Sequence, residues 1–228
     1  MPQETPRQYP LDLPVEPRLG AEDYLVGPAN RAAHALITGW PAWPDRIVLL
    51  VGPEGAGKTH LGAIWAAASG AAVTAGAAAA LDQALGADEP TVLLDDCDAE
   101  DADETALFHL MNTIRERRGF LLLTARGTPS LLWPRLPDLA SRVRALPVAR
   151  LDAPDETTAK AVLIKLLDDR QLRVEADVVD FIARRTERSI GAIRELVRAI
   201  DRESLARGRA VGRGLASDVL ARIWDRGD

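Results

Sequence analysis

One stretch limits the possible folds more than any other: Gly52-Pro53-Glu54-Gly55-Ala56-Gly57-Lys58-Thr59. It follows an unbroken apolar run, Ile47-Val48-Leu49-Leu50-Val51, and opens an Ala-rich helical stretch from His60 to Ala68. The pattern G-x-x-x-x-G-K-[ST] between a strand and a helix is that of a phosphate-binding loop. Gly52, Gly55 and Gly57 let the backbone turn tightly with its N–H groups facing inward. The helix that follows adds its positive dipole end. Lys58 is then the cation for the β- and γ-phosphates, and the Thr59 hydroxyl is a ligand for Mg²⁺. Pro53, Glu54, Ala56 and His60 complete the expected cradle.

A second apolar run, Thr91-Val92-Leu93-Leu94, ends in Asp95-Asp96. A buried parallel strand that delivers a carboxylate beside a phosphate loop gives Mg²⁺ an outer ligand. Asp95 fits that role, and Asp96 fits the position that polarises an attacking water. Cys97 reads as a small core residue. Residues 104–117 have helical spacing, with Leu107, Leu110, Met111 and Ile114 on one stripe. Phe120-Leu121-Leu122-Leu123-Thr124 is a further buried strand. A short strand at Val73-Thr74 and a helix from Ala77 to Leu85 are expected between the first two runs.

Composition narrows the classes. With 47% hydrophobic and 27% charged residues the chain reads as globular, and no apolar run comes near a membrane span. The first residues lack the basic start and apolar core of a secretory leader. The single cysteine excludes an internal disulfide framework and suits the cytoplasm. The net charge of −6 argues against a broad basic face, so any DNA contact is expected to be local or made through a partner. His34, His60 and His109 have no metal-ligand spacing and read as structural or surface residues.

The two ends differ in kind. Residues 1–18 carry Pro2, Pro6, Pro10, Pro14 and Pro17, which forbid a helix and predict a tail. Within it, Gln8-Tyr9-Pro10-Leu11-Asp12-Leu13 alternates two leucines, a spacing that suits a linear peptide docking into an apolar groove. Gly27-Pro28 is a turn, and Asn30 is expected to cap a helix running to about Gly39. Trp40, Pro41, Trp43 and Pro44 make a rigid connector. Beyond a break at Leu151-Asp152-Ala153-Pro154-Asp155 the pattern is wholly helical. A helix over 156–169 is expected to bury Ala161, Leu163, Ile164 and Leu167. Others are expected over 176–186, 189–207 and 215–224. The expected division is a tail over 1–18, a nucleotide-binding domain over 19–152 and a helical domain over 153–228.

The phosphate loop, Asp95-Asp96, Ser141-Arg142 and Ile193-Arg194-Glu195-Leu196 together resemble domain III of the DnaA family of AAA+ proteins. The resemblance implies an α/β fold, an AAA+ P-loop NTPase parallel-sheet sandwich with a C-terminal all-helical lid domain. It also implies roles. Val26, Gly27 and Asn30 would lie over the adenine base, and Arg194 would reach the phosphates from the lid as sensor II. Thr124 stands at the sensor I position, with Arg126 where the family usually has Asp. Arg142 would be an arginine finger supplied in trans to a neighbour's γ-phosphate. Gln8, Leu11 and Leu13 match the hexapeptide by which replication proteins bind the β sliding clamp, although Tyr9 departs from it. This peptide, the AAA+ module and Leu136-Pro137-Asp138-Leu139-Ala140-Ser141-Arg142 resemble the Hda family of DnaA-related regulators. That family implies ADP or ATP with Mg²⁺ as ligands, DnaA and the β sliding clamp as partners, and DNA reached mainly through the clamp. It implies a regulator that promotes hydrolysis of DnaA-bound ATP more than a strong ATPase, with self-association left open. A small-molecule P-loop kinase, a DNA-bound helicase loader or transposition helper, and a DnaA-like factor with another partner stay open as alternatives.

Overall fold

The computed structural model describes residues 19–130 and 133–224. They fall into two compact units, divided between Ala153 and Pro154. The clamp-like peptide at Gln8, Leu11 and Leu13 lies outside the described residues. No described helix is long and apolar enough to cross a membrane.

The first unit is built on five parallel strands, β1 (Ile47–Val51), β2 (Ala72–Thr74), β3 (Thr91–Leu94), β4 (Phe120–Ala125) and β5 (Val148–Arg150), in the order β2-β3-β4-β1-β5. The apolar runs are continuous because a parallel sheet is covered on both faces. Alternate residues serve opposite sides. Ile47, Leu49, Val51, Leu121 and Leu123 join one core with helices α3 (Ala77–Leu85), α4 (Glu104–Glu116) and α5 (Pro137–Arg144). Val48, Leu50, Leu93 and Leu122 join the other with α1 (Arg31–Thr38) and α2 (Lys58–Ser69). The tryptophan connector feeds this second core. Trp43 stacks on Trp65 with centroids 5.1 Å apart and donates through Nε1 to the Ile37 carbonyl at 3.2 Å.

The second unit is all helical: α6 (Glu156–Asp169), α7 (Ala176–Ala183), α8 (Ile190–Arg207) and α9 (Arg213–Trp224). Asp155 caps α6 by accepting from the Thr158 amide at 2.7 Å, and Ser189 caps α8 by accepting from the Ala192 amide at 3.3 Å. Two expectations are corrected here. On α6 the buried stripe is Ala159, Val162, Leu163 and Leu167. Ala161 is exposed and Ile164 is 48% exposed. They fall outside that stripe, since Ala159, Val162 and Leu163 lie three and four residues apart. Helix α7 stops at Ala183 rather than continuing to Thr186.

Gly119 marks a tight approach between β3 and β4. A Cβ there would lie 2.1 Å from the Pro90 carbonyl oxygen, which also accepts the Phe120 amide at 2.8 Å. Gly119→Ala should therefore destabilise the chain by about 1–3 kcal/mol in urea unfolding, the usual cost of overpacking. Gly127→Ala, where nothing lies within 4 Å of the added carbon, should be close to neutral in the same assay.

Candidate functional site

All five strands run the same way, so their C-terminal ends share one edge, where ligands bind in open α/β sheets. The phosphate loop leaves β1 at that edge, and the Asp95-Asp96 pair leaves β3. Strand β4 lies between them, with Leu50 opposite Thr124 and Leu94 opposite Leu123.

The loop has the conformation that its glycines permit. Gly55 and Gly57 have φ of 71° and 99°, in the left-handed region. The first helical bond of α2 runs from the Leu61 amide to Gly57 O. The amides of the first turn of α2 therefore lie at its positive dipole end. Lys58 is buried, and its Nζ donates to the carbonyls of Gly52 at 2.9 Å and Pro53 at 3.2 Å. The ammonium is thereby seated over the same turn as the amides.

Thr59 and Asp95 meet as the sequence predicts, the hydroxyl donating to Asp95 Oδ2 at 3.0 Å. The other carboxylate oxygen, Oδ1, accepts from the Thr124 hydroxyl, and Thr124 Oγ1 accepts from the Asp96 amide at 2.9 Å. Thr124 has no exposed surface. Its hydroxyl ties the end of β4 to both acids, and its proton is committed to Asp95. Asp96 is held in a left-handed conformation, φ 50°, with its side chain exposed. Oxygen donors of this kind suit Mg²⁺, which is commonly held by one or two protein groups together with phosphates and water. Thr59 and Asp95 would hold it, and Mg²⁺ when bound would neutralise phosphate charge. No cluster of three His, Cys, Asp or Glu suited to a metal occurs among the described residues.

The segment expected over the base is braced differently from the expectation. Asn30 stands at the N-cap of α1, but its side chain makes no capping bond. Instead Oδ1 accepts from the Gly27 amide and Nδ2 donates to the Leu25 carbonyl, both at 2.8 Å. The bonds close the Leu25–Gly27 turn and leave Val26 46% exposed. Tyr24 stacks on His34 and meets His60 edge-on, and His60 Nε2 lies 2.9 Å from Gly20 O. The His60 ring therefore packs on residues 20–24, and its contribution to a phosphate cradle would be its amide. Burial pushes the Tyr24 hydroxyl up to about 12, against a smaller opposing effect from Asn30.

Arg142 lies on α5 and is half-buried. Its guanidinium donates to Asn112 Oδ1 and sits over the Phe108 ring, 4.5 Å from the centroid. Both partners belong to α4, and sequence reasoning missed them. Arg126 and Arg150 are exposed, the latter in register with Val51. Arg194 is a half-buried residue of α8 in the second unit.

No protein-family model matches the chain. In sequence it is similar to the chromosomal replication initiator DnaA of Clavibacter sepedonicus, 25% identical over 205 residues that cover 78% of this chain and 43% of that protein. It is similar to DnaA of a Synechococcus strain at 29%, covering 76% and 43%, and to DnaA of Thermus thermophilus at 26%, covering 98% and 56%. The chain thus spans about half the length of these relatives. In structure it matches domain III of Thermotoga maritima DnaA with a TM-score of 0.77 at 20% identity, covering 92% of this chain and 98% of that domain. This is the AAA+ fold of DnaA domain III. A replication initiator DnaA bound to AMPPCP and single-stranded DNA superposes with a TM-score of 0.64 at 20% identity, covering 81% and 65%. The Thermotoga maritima RuvB branch-migration motor gives 0.62 at 16%, covering 83% and 65%. The DnaA-like fold fits the loop and acid geometry described above.

Two outcomes follow from the Thr124 junction. Thr124→Val keeps the shape but leaves the Asp96 amide without its acceptor, and it should cost about 1–3 kcal/mol in urea unfolding. Cys97 lies beside this junction and is buried. Burial first, and then the charge of Asp98, hold its thiol well above the ordinary thiol range. Iodoacetamide at pH 8 should leave the native protein unmodified and label it fully in denaturant, as mass spectrometry would read.

Proposed function

We propose that the chain is a DnaA-related AAA+ regulator of replication initiation. It binds ADP or ATP with Mg²⁺ and supplies Arg142 to ATP held by DnaA. Gln8, Leu11 and Leu13 dock it on the β sliding clamp, so that DNA is reached mainly through the clamp. Lys58 and the loop amides hold phosphates, Thr59 and Asp95 take the metal, and Asp96 orients a water. Val26, Gly27 and Asn30 face the base, and Arg194 on α8 is the sensor II candidate of the helical unit.

One observation carries this reading. Among the described residues, the hydrogen bond and the ring contact of Arg142 both go to α4, and none goes to this chain's own loop or acids. A planar, permanently charged fork held ready in this way is suited to phosphate oxygens on another molecule. A trans arginine can be worth ~10³–10⁵ in rate, enough to convert a slow ATPase into a timed switch. Sequence similarity to DnaA supports the choice of partner, since AAA+ modules of one family meet through like surfaces. Arg126 at the usual position of the sensor acid favours a regulator over a strong ATPase.

A second reading, a DNA-associated ATPase of the loader type, is favoured by exposed Arg126, Arg135, Arg144 and Arg150 on an otherwise acidic chain. Single-stranded DNA would then stimulate hydrolysis by the chain itself.

Lys58→Ala should lower adenine-nucleotide affinity by about ten- to a hundredfold, given that a charged hydrogen bond is worth about 1.5–3 kcal/mol. Calorimetry showing unchanged ADP affinity would remove the nucleotide site. In single-turnover hydrolysis of ATP preloaded on DnaA, with clamp-loaded DNA, the wild type should accelerate turnover. Arg142→Ala should not, while keeping its nucleotide affinity. Acceleration by single-stranded DNA without DnaA would favour the second reading.

A further inference from the structure

The connection from β4 to α5 is held at both ends by carboxylates, one from the turn that follows Asp95-Asp96 and one from the first residue of α4. At its start, Asp98 Oδ2 accepts from the amides of Arg126 at 2.8 Å and Gly127 at 3.4 Å. At its end, Glu104 Oε1 accepts from the Arg135 amide at 2.8 Å and Oε2 from the Leu136 amide at 2.7 Å. Leu136 is the N-cap of α5, and its carbonyl accepts the first bond of that helix, from Ala140. On α4, Glu104, Phe108 and Asn112 are spaced at i, i+4 and i+8, which aligns them along one face. One stripe therefore holds α5 twice, Glu104 at its N-terminal backbone and Phe108 with Asn112 at the Arg142 guanidinium.

We propose that Glu104 is a positioning residue for Arg142, setting the tilt and register of α5 through the Arg135 and Leu136 amides. The proposal rests on the trans role of Arg142 given above. Leu139 and Val143 bury the inner face of α5, but apolar contact is non-directional and fixes depth better than register. A carboxylate accepting two amides is directional and charge-assisted, and its charge lies at the positive end of α5. From Leu136 to Arg142 the helix rises about 9 Å, so a tilt of about 6° would move the guanidinium by about 1 Å. A displacement of that size can cost about a hundredfold in rate when a reacting geometry depends on it.

The test compares wild type, Glu104→Ala, Glu104→Gln, Arg142→Ala and Gly119→Ala in DnaA-bound ATP hydrolysis with clamp-loaded DNA. Amide hydrogen exchange on each full chain accompanies it. Glu104→Ala should lower the maximal rate by at least about tenfold and change the half-saturating concentration far less. Glu104→Gln, which keeps one acceptor, should fall between it and wild type. ADP affinity should be unchanged in both, and exchange over 137–144 should quicken while α4 stays protected. A maximal rate for Glu104→Ala within twofold of wild type, where Arg142→Ala is inactive, overturns the proposal. So does a loss matched by Gly119→Ala at an equal drop in melting temperature, because Glu104 would then act through stability alone. If the wild type fails to stimulate DnaA, the reading of Arg142 falls separately. Exchange then decides the positioning claim, and unchanged exchange over 137–144 in Glu104→Ala overturns it.

Discussion

A parallel sheet brings the C-terminal ends of all its strands to one edge, and the candidate site of this chain depends on that single constraint. Strand β1 delivers the phosphate loop there, β3 delivers Asp95 and Asp96, and β4 sits between them with Thr124 at its end. The apolar runs behind that edge are buried on both faces, and the strands pair in one defined register. Charged and hydroxyl groups can then meet to within a hydrogen bond although they lie far apart in the chain.

Thr124 shows how finely that arrangement is tuned. A hydroxyl with no exposed surface is tolerated when its hydrogen bonds are made. Here it donates to Asp95 and accepts from the Asp96 amide. The left-handed Asp96 is a conformation that Asp accepts better than most residues, and the Thr124 bond stabilises it. A valine of the same shape would satisfy the core and leave the acids unanchored. The polar residue at the end of β4 is therefore explained by its neighbours on β3.

Much of this was legible in the sequence, for an identifiable reason. Continuous apolar runs, glycines at a fixed spacing and a strand ending in two acids are local signals. They located β1, β3, β4 and the loop, and the helix over 77–85 agrees with α3. What stayed hidden depends on partners distant in the chain. Asn30 reads locally as a cap, but it turns back to close the Leu25–Gly27 turn. Glu104, Phe108 and Asn112 fall beside the apolar stripe of Leu107, Leu110, Met111 and Ile114, where residues are usually read as solvent-facing. Their partners, at 135, 136 and 142, lie about thirty positions further on. On α6 the buried stripe takes in Ala159 and Val162 in place of Ala161 and Ile164, a choice of face that depends on what the helix packs against.

The surroundings of Arg142 bear on why an arginine stands there at all. A half-buried guanidinium loses hydration, and in this chain Asn112 and the face of Phe108 offset the loss. A ring face stabilises a cation without neutralising it, and an amide oxygen accepts one N–H while other donors of the fork remain. A carboxylate in the place of Asn112 would form a full ion pair and quench the charge. A lysine in the place of Arg142 would bring a point charge without the planar fork that sits over Phe108 while bonding Asn112. The neutral polar and aromatic pair thus orders the side chain and leaves its positive charge unspent, as the role proposed for Arg142 would require.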